Sequence, residues 1–222
     1  MLAPFAIVGL SVASYGHFWN NQPWRGGLLA GTAAITALFS LTKAFVTVRQ
    51  QLRRESTHEL LGCLHVLHAL MTAGDDDDEP HDLRIAFHVP VDDGRYLEQA
   101  TEYVYGNDGG RPPRKGRKLT TNSGVIGKAY REKAAICFER ENDNAELFVR
   151  ELQEKFNFTE QDARAVNPTR VACLAVPVTD GDHVHGVLYM DVLRRGFFNP
   201  ERQTLAIEAT KGVSRFARLR YD

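Results

Sequence analysis

Three kinds of residue in this sequence could support chemistry: cysteines, a run of acids and a run of bases. The three cysteines are Cys63, Cys137 and Cys173, and each lies within an apolar stretch. Their odd number and wide spacing match neither a disulfide framework nor a CxxC metal pattern. We therefore favour buried thiols in a reducing compartment.

The acidic run occupies residues 75–79 and is followed by Pro80. Consecutive carboxylates could bind Ca²⁺, but the run has neither the glycine turn nor the ligand spacing of an EF-hand. A solvated loop is the favoured interpretation, and we expect no metal site.

The basic run lies in residues 111–118, a segment rich in Gly, Pro and Arg. Its five cations are Arg111, Arg114, Lys115, Arg117 and Lys118. These side chains could contact anionic lipid headgroups, cap a phosphate-bearing ligand or remain in solvent, and the three interpretations stay open. The net charge of the whole chain is −1, which predicts no nucleic-acid partner.

Charge is distributed unevenly along the chain. Residues 1–48 carry only Arg25 and Lys43 as formal charges, whereas the remainder is charge-rich. Within this region the apolar stretches at about 2–19 and 28–48 are near the length that crosses a bilayer. We predict a transmembrane helical hairpin over residues 1–48. A cleaved signal peptide is disfavoured because no basic segment precedes the first stretch.

Aromatic and basic residues suggest how this hairpin is oriented. Trp19 and Trp24 flank a turn rich in Asn, Pro and Gly, as residues at a membrane interface do. Arg49, Arg53 and Arg54 follow the second stretch. The positive-inside rule then places the soluble part in the cytoplasm, with the hairpin in a bacterial inner (cytoplasmic) membrane.

Residues 49–73 predict a connecting helix. Leu60, Leu64, Leu67 and Met71 recur at helical spacing, and no Gly or Pro precedes Gly62 in this segment. We expect the second membrane helix to continue into it, and we expect the chain to form a homodimer through its helices.

The rest of the sequence alternates strand and helix patterns that predict an α+β fold, an antiparallel sheet flanked by helices. The predicted strands and helices cover 83–91, 96–105, 124–131, 134–138, 144–166, 171–178, 185–192 and 200–219, with a loop at 106–118.

Three motifs in these elements resemble those of the GAF domain family. They are the run Ser123–Tyr130, the hairpin Ala172–Asp191 with Gly181 and Gly186, and the sequence Phe198-Asn199-Pro200-Glu201 before the last helix. The resemblance extends over residues 58–220 and implies a small-molecule-sensing domain. Gly181 suits a tight turn and Gly186 a close backbone approach.

The resemblance also implies where a ligand would lie, between the sheet and the helices that cross it. The positions concerned are Cys137, Phe138, Glu139, Arg140, Cys173, Tyr189 and Asp191. Arg140 suits an anionic group, and Glu139 or Asp191 suits the hydrogen-bonding edge of a base.

Several specialised GAF chemistries do not match this sequence. The phosphodiesterase signature N-K…F-x-x-x-D-E is incomplete, and no cysteine precedes a histidine as bilin attachment needs. Free methionine sulfoxide reductases need neighbouring cysteines; Cys137 and Cys173 are separated by a predicted helix but could approach in space. We expect no catalytic residues, and that reductase remains an alternative.

The sequence therefore predicts a membrane-anchored, non-catalytic sensor of a small molecule, for which a nucleotide-type compound is one candidate and no cofactor can be named. Since the chain ends at Asp222, just after the last helix, we expect a separate output protein. A ligand-activated membrane-disrupting effector and a ligandless dimerisation module are further alternatives.

Overall fold

The computed structural model describes residues 23–74, 82–105, 115–166 and 169–221. The chain divides into two compact units, Met1–Ser56 and Thr57–Asp222. The first predicted membrane span, 2–19, and the acidic run, 75–79, lie outside the described residues.

The first helix, α1, spans Pro23–Thr72. From residue 35 to residue 47 its side chains are exposed, apart from the half-buried Ser40. The large apolar side chains in this stretch are Ile35, Leu38, Phe39, Leu41, Phe45 and Val46. No helix within the described ranges is both long and apolar enough to cross a membrane.

The second unit contains an antiparallel sheet that, within the described residues, has seven strands in the order β4-β2-β1-β7-β6-β5, with β3 also paired to β1. The strands are β1 (Arg84–Val91), β2 (Tyr96–Gln99), β3 (Val104–Tyr105), β4 (Lys118–Thr120), β5 (Ile136–Glu139), β6 (Ala172–Asp180) and β7 (His183–Val192). The helices that follow α1 are α2 (Gly124–Glu132), α3 (Ala145–Phe156), α4 (Glu160–Ala165) and α5 (Pro200–Tyr221). The predicted α+β antiparallel architecture is confirmed.

Two predicted elements differ from the observed ones. The strand predicted over 96–105 is divided, because the Phe87 amide donates to the Thr101 hydroxyl at 3.0 Å instead of continuing the backbone ladder. The helix predicted over 144–166 is also divided. Asn157 adopts a left-handed conformation that ends α3, and the Thr159 side chain caps α4.

The loop predicted over 106–118 reaches a strand at its end, since Lys118 is the first residue of β4. The hairpin turn predicted at Gly181 is confirmed, with φ of +59° at that glycine. Strands β6 and β7 flank it and form the centre of the sheet together with β1.

The sheet buries apolar side chains on both faces. On the first face, Leu174 and Val176 of β6 join Leu60 and Leu64 of α1 and Ala206 of α5 in one core. A second core lies on the opposite face, where α2, α3 and α4 pack; its members are Leu97, Val125, Ile126, Ala129, Phe138, Phe148, Val149, Leu152, Phe156, Ala163, Cys173, Ala175 and Val187. We call these the first and second faces of the sheet.

Candidate functional site

The second face carries polar residues on its central strands. Strand register pairs Arg84 with Asp191 and Ala86 with Tyr189 across β1 and β7. On the other side of β7, Ala175 pairs with Tyr189. Because side chains alternate between faces along a strand, all five belong to the same surface.

Asp191 is the centre of a buried ion cluster. Its carboxylate is 1 % exposed and accepts two hydrogen bonds from the Arg84 guanidinium, one of them 2.5 Å from Nε to Oδ1. Arg170 approaches the same carboxylate, with Nη1 3.4 Å from Oδ1. The Arg84 guanidinium also lies 4.7 Å from the centre of the Tyr103 ring. We call Arg84, Arg170 and Asp191 the Asp191 cluster.

Within the Asp191 cluster, the pKa of Arg84 favours its charged form. Burial alone would lower the pKa of Arg84, but the hydrogen bond and the charge of Asp191 more than offset burial, so the net pKa is raised. Two guanidinium groups, those of Arg84 and Arg170, face the Asp191 carboxylate. Asp191 was expected to accept a hydrogen bond from a base; here Arg84 occupies both of its oxygens.

Tyr189 lies next to this cluster on the central strand and is half-buried, unlike the other β7 residues from Val184 to Val192, which are buried. Its neighbours across both strands are alanines, Ala86 and Ala175, which leave room for its ring. Burial raises the pKa of Tyr189, and the charge of Asp191 raises it further, so the phenol stays protonated. We call Ala86, His88, Ala175 and Tyr189 the tyrosine site.

His88 forms the other side of the tyrosine site. Its ring stands at 88° to that of Tyr189, with the centroids 6.1 Å apart. The side chain is 1 % exposed. Burial lowers the pKa of His88 to about 3, and the positive charge of Arg117 contributes to the shift, so the ring is neutral at neutral pH.

The predicted residues on β5 and just after it divide between the two faces. Phe138 pairs with Cys173, and both belong to the core of the second face. Cys137 pairs with Leu174, a residue of the first face, and its own side chain is exposed. Cys137 and Cys173 do lie near each other, on adjacent paired strands and close enough for one to affect the pKa of the other, but their side chains leave opposite faces of the sheet.

Glu139 and Arg140 are engaged within the protein. Glu139 is exposed and accepts a hydrogen bond from the Gly196 amide at 2.8 Å. Arg140 is 6 % exposed, and its guanidinium lies 4.8 Å from the centre of the Phe148 ring. Its Nε donates to the carbonyl of Asn142. The structure thus gathers Phe138, Cys173, Tyr189 and Asp191 on one face and leaves Cys137 and Glu139 on the other.

Of the predicted basic contacts, Lys115, Arg117 and Lys118 are exposed, while Arg111 and Arg114 lie outside the described residues. Lys118 Nζ is 2.8 Å from the Asp92 carboxylate. Among the residues that the structure describes, no group of three or more His, Cys, Asp or Glu side chains could hold a metal ion.

A cavity of about 220 Å³ lies on the first face between α1 and α5, and it is lined almost entirely by apolar groups. Leu64, Phe87 and Leu188 are among its walls. It lacks the converging polar side chains that orient a ligand, whereas the tyrosine site has them on two sides.

Sequence reasoning missed Arg84, His88 and Arg170. The polar and apolar residues of 83–91 alternate, which is typical of a strand with one face in solvent, but the structure buries both faces of β1 from Arg84 to Val89. The sequence did contain an indication of these residues, because Arg84, Ala86 and His88 share one face of a strand in the same domain as Asp191. Only the register of β1 with β7 brings them together.

The family model of the GAF domain matches the sequence over residues 49–211, which is most of the chain. The chain belongs to the GAF domain family, whose members typically sense small molecules in signalling. Among curated proteins, none matches this chain.

Solved structures resemble this chain at low sequence identity. The GAF domain of a two-component sensor histidine kinase from Bacillus halodurans is 14% identical, with 70% of this chain and 94% of that chain covered and a TM-score of 0.47. The GAF-B domain of DevS from Mycobacterium smegmatis is 14% identical, covering 72% and 93%, with a TM-score of 0.46. A type II free methionine-R-sulfoxide reductase from Thermoplasma acidophilum is 12% identical, covering 71% and 95%, with a TM-score of 0.45.

Proposed function

We propose that this protein is a membrane-anchored, cytoplasmic GAF-type sensor that binds a small molecule, has no catalytic activity and signals as a homodimer through its helices. The receiver is a separate output protein or the protein's own N-terminal membrane hairpin. A nucleotide-type molecule is one candidate ligand.

The observation that carries this proposal is the arrangement of Tyr189, His88 and the Asp191 cluster on the second face. A half-buried tyrosine lies between a neutral, buried histidine and a buried ion cluster. Apolar surface with a few fixed polar groups is the usual composition of a small-molecule site. Membership of the GAF family agrees with this assignment.

The cysteines favour binding over catalysis. Burial raises the pKa of Cys173, and the negative charge of Asp191 raises it further. Partial desolvation and the charge of Glu139 raise the pKa of Cys137 as well, although its side chain remains exposed. Since the thiolate is the reactive form, both are poor nucleophiles. Their opposite orientation also prevents a disulfide between them without rearrangement of the strands.

Two features support the membrane and dimer parts of the proposal. Residues 35–47 of α1 expose large apolar side chains, and a helix that is apolar all round normally lies in a membrane or a protein core. Farther along α1, Val66 and Leu70 are 62% and 53% exposed, which suits a helix packed against a second copy. The bases Arg49, Arg53 and Arg54 favour a cytoplasmic location for the GAF domain.

The test begins with the full chain purified from its own host. We expect native mass spectrometry to detect a co-purified small molecule, and a nucleotide panel to raise the melting temperature. If the protein carries no molecule and no compound stabilises it, the ligandless dimerisation module becomes the better description.

Two further measurements separate the remaining alternatives. Cys137→Ser and Cys173→Ser are expected to leave ligand binding and signalling unchanged; reduction of free methionine sulfoxide by the wild type that either variant abolishes would establish the reductase. Depolarisation of cells, followed with a membrane-potential dye during induced expression, would establish the membrane-disrupting effector.

A further inference from the structure

The cavity between α1 and α5 on the first face opens to solvent between the two helices. Phe87 and Leu188, which are buried on β1 and β7, form its wall on the side of the sheet. Cys63 of α1 and Gly212 of α5 also line the cavity, and both of these residues are exposed. A small molecule can therefore enter from solvent and occupy the space between the helices.

Two glycines contribute to the shape of this cavity. A Cβ atom at Gly186 would lie 2.3 Å from the Phe87 ring, so the missing side chain gives that ring its place in the wall. A Cβ atom at Gly212 would meet nothing within 4 Å, so this side of α5 is open. The volume of about 220 Å³ exceeds the ~150 Å³ of an engineered apolar cavity that binds benzene.

The lining of the cavity favours a neutral, apolar occupant. None of its described lining residues is charged. The Thr210 hydroxyl already donates to the Ile207 carbonyl at 2.7 Å. Beside the lining residues of α5, Glu208 and Lys211 pair with each other at 2.6 Å. Water needs roughly two to four polar partners to be held in a cavity, and an apolar molecule that displaces poorly held water gains free energy.

We propose that this cavity, which we call the α1–α5 site, binds a small neutral apolar molecule of one or two rings. The Phe87 ring in its wall favours an aromatic compound, because offset and edge-on contacts between rings are favourable. The α1–α5 site lies on the opposite face of the sheet from the tyrosine site. Its occupancy goes beyond the proposed sensor function and does not depend on it.

The decisive variants place one side chain at two exposed helical glycines. Gly212→Leu adds apolar atoms at the α1–α5 site, and its matched control is Gly62→Leu on α1. Gly62 does not line the cavity, and nothing lies within 4 Å of its Cβ position either. Leucine is the better helix former, so both variants should fold. Gly212→Leu should weaken binding at least about tenfold, since a bound molecule must displace the new side chain. Ala209→Leu fills the cavity from a second position.

Binding is measured on the full chain in lipid nanodiscs. The probes are toluene and naphthalene, with benzylamine and benzoate as charged counterparts of toluene. Cys63 is the reporter, and Cys137, which is also exposed but does not line the cavity, is the internal control. Peptide mass spectrometry follows the alkylation of both thiols by a maleimide, and the dependence on probe concentration gives the dissociation constant.

We expect toluene or naphthalene to slow the alkylation of Cys63 severalfold at saturation and to leave Cys137 unchanged. The charged compounds should affect neither thiol. Gly62→Leu should behave as the wild type, whereas Gly212→Leu and Ala209→Leu should lose the protection of Cys63.

Four results would overturn the inference. The first is a failure of both neutral probes to protect Cys63, and the second is equal protection by a charged compound. The third is equal protection in the wild type and Gly212→Leu. The fourth is a Cys63 that resists alkylation before any probe is added while Cys137 reacts, because lipid or a second copy of the chain would then cover the site. None of these results bears on the sensor ligand, which is decided by whether a molecule co-purifies from the host.

Discussion

At the level of single residues, Asp191 shows how a candidate ligand contact can serve the fold. Its two oxygens are held by Arg84, and Arg170 lies on the same side. A carboxylate enclosed in this way is committed to neutralising buried guanidinium groups. It can therefore act on a ligand only through the positions of those arginines.

Removing the charge of Asp191 should lower the free energy of unfolding substantially. Asp191→Asn would leave the buried Arg84 guanidinium without the carboxylate that holds it, and breaking a buried pair in this way costs about 3–5 kcal/mol. Urea denaturation measures the change. The control is Glu208→Gln, which breaks the exposed pair with Lys211 and should change stability by less than about 1 kcal/mol. Equal effects of the two substitutions would show that the buried cluster contributes no more than a surface pair.

His88 gives the fold a defined pH dependence. Its pKa lies at about 3 when folded against 6.5 ordinarily, so the unfolded chain binds the extra proton between those values. Stability should therefore fall as the pH drops from 6.5 towards 3, with His88 contributing a slope of about 1.4 kcal/mol per pH unit. Urea titrations of wild type and His88→Leu between pH 4 and 7 measure it. Parallel curves for the two proteins would contradict the prediction.

At the level of elements, close approach of strands depends on Gly186 in β7. A Cβ atom there would lie 2.7 Å from the His88 carbonyl oxygen and would also meet the Phe87 ring. Neither neighbour can move freely, because both belong to β1, which is paired with β7. The sequence-based expectation of a close backbone approach at Gly186 is confirmed, and the approaching strand is now identified.

Two glycine substitutions should change stability in opposite directions. Gly186→Ala should destabilise the protein by about 1–3 kcal/mol, because it crowds a packed core. Gly62→Ala, in the middle of α1 where nothing lies within 4 Å of the new Cβ, should stabilise it by about 0.5–1 kcal/mol through helix propensity. Thermal and urea denaturation of both variants provide the measurement; loss of stability in both would mean that the packing around Gly62 is tighter than described.

Local patterns were sufficient for most of the fold. Alternation predicted β1 and the β6–β7 hairpin, and helical spacing predicted the burial of Leu60, Leu64, Leu67 and Met71, which is confirmed. The division of 96–105 could not be predicted, because it depends on Thr101 competing with the backbone for the Phe87 amide. The candidate site was anticipated only in part for a similar reason. Arg84 and Asp191 are 107 residues apart, and strand register alone makes them partners.

At the level of the whole molecule, the first unit exposes a series of large apolar side chains between residues 35 and 46. Ile35, Leu38, Phe39 and Leu41 are each about two-thirds or more exposed. Monomeric soluble proteins rarely expose a contiguous apolar surface of this kind. We therefore expect lipid around this segment in the cell, in agreement with the absence of acidic residues before Glu55.

Membrane association can be tested on the full chain in its host. Wild-type protein should remain with the membrane pellet after extraction at alkaline pH, as an integral protein does. In the double variant Leu38→Asp and Phe39→Asp, each aspartate near the middle of the 28–48 segment costs about 3 kcal/mol of insertion free energy, so the extracted fraction should rise clearly. Leu147→Asp, at an exposed apolar position of α3, is the matched control and should leave the distribution unchanged. Complete extraction of the wild type would instead mean that protein, from another part of the chain or from a second copy, covers the apolar segment.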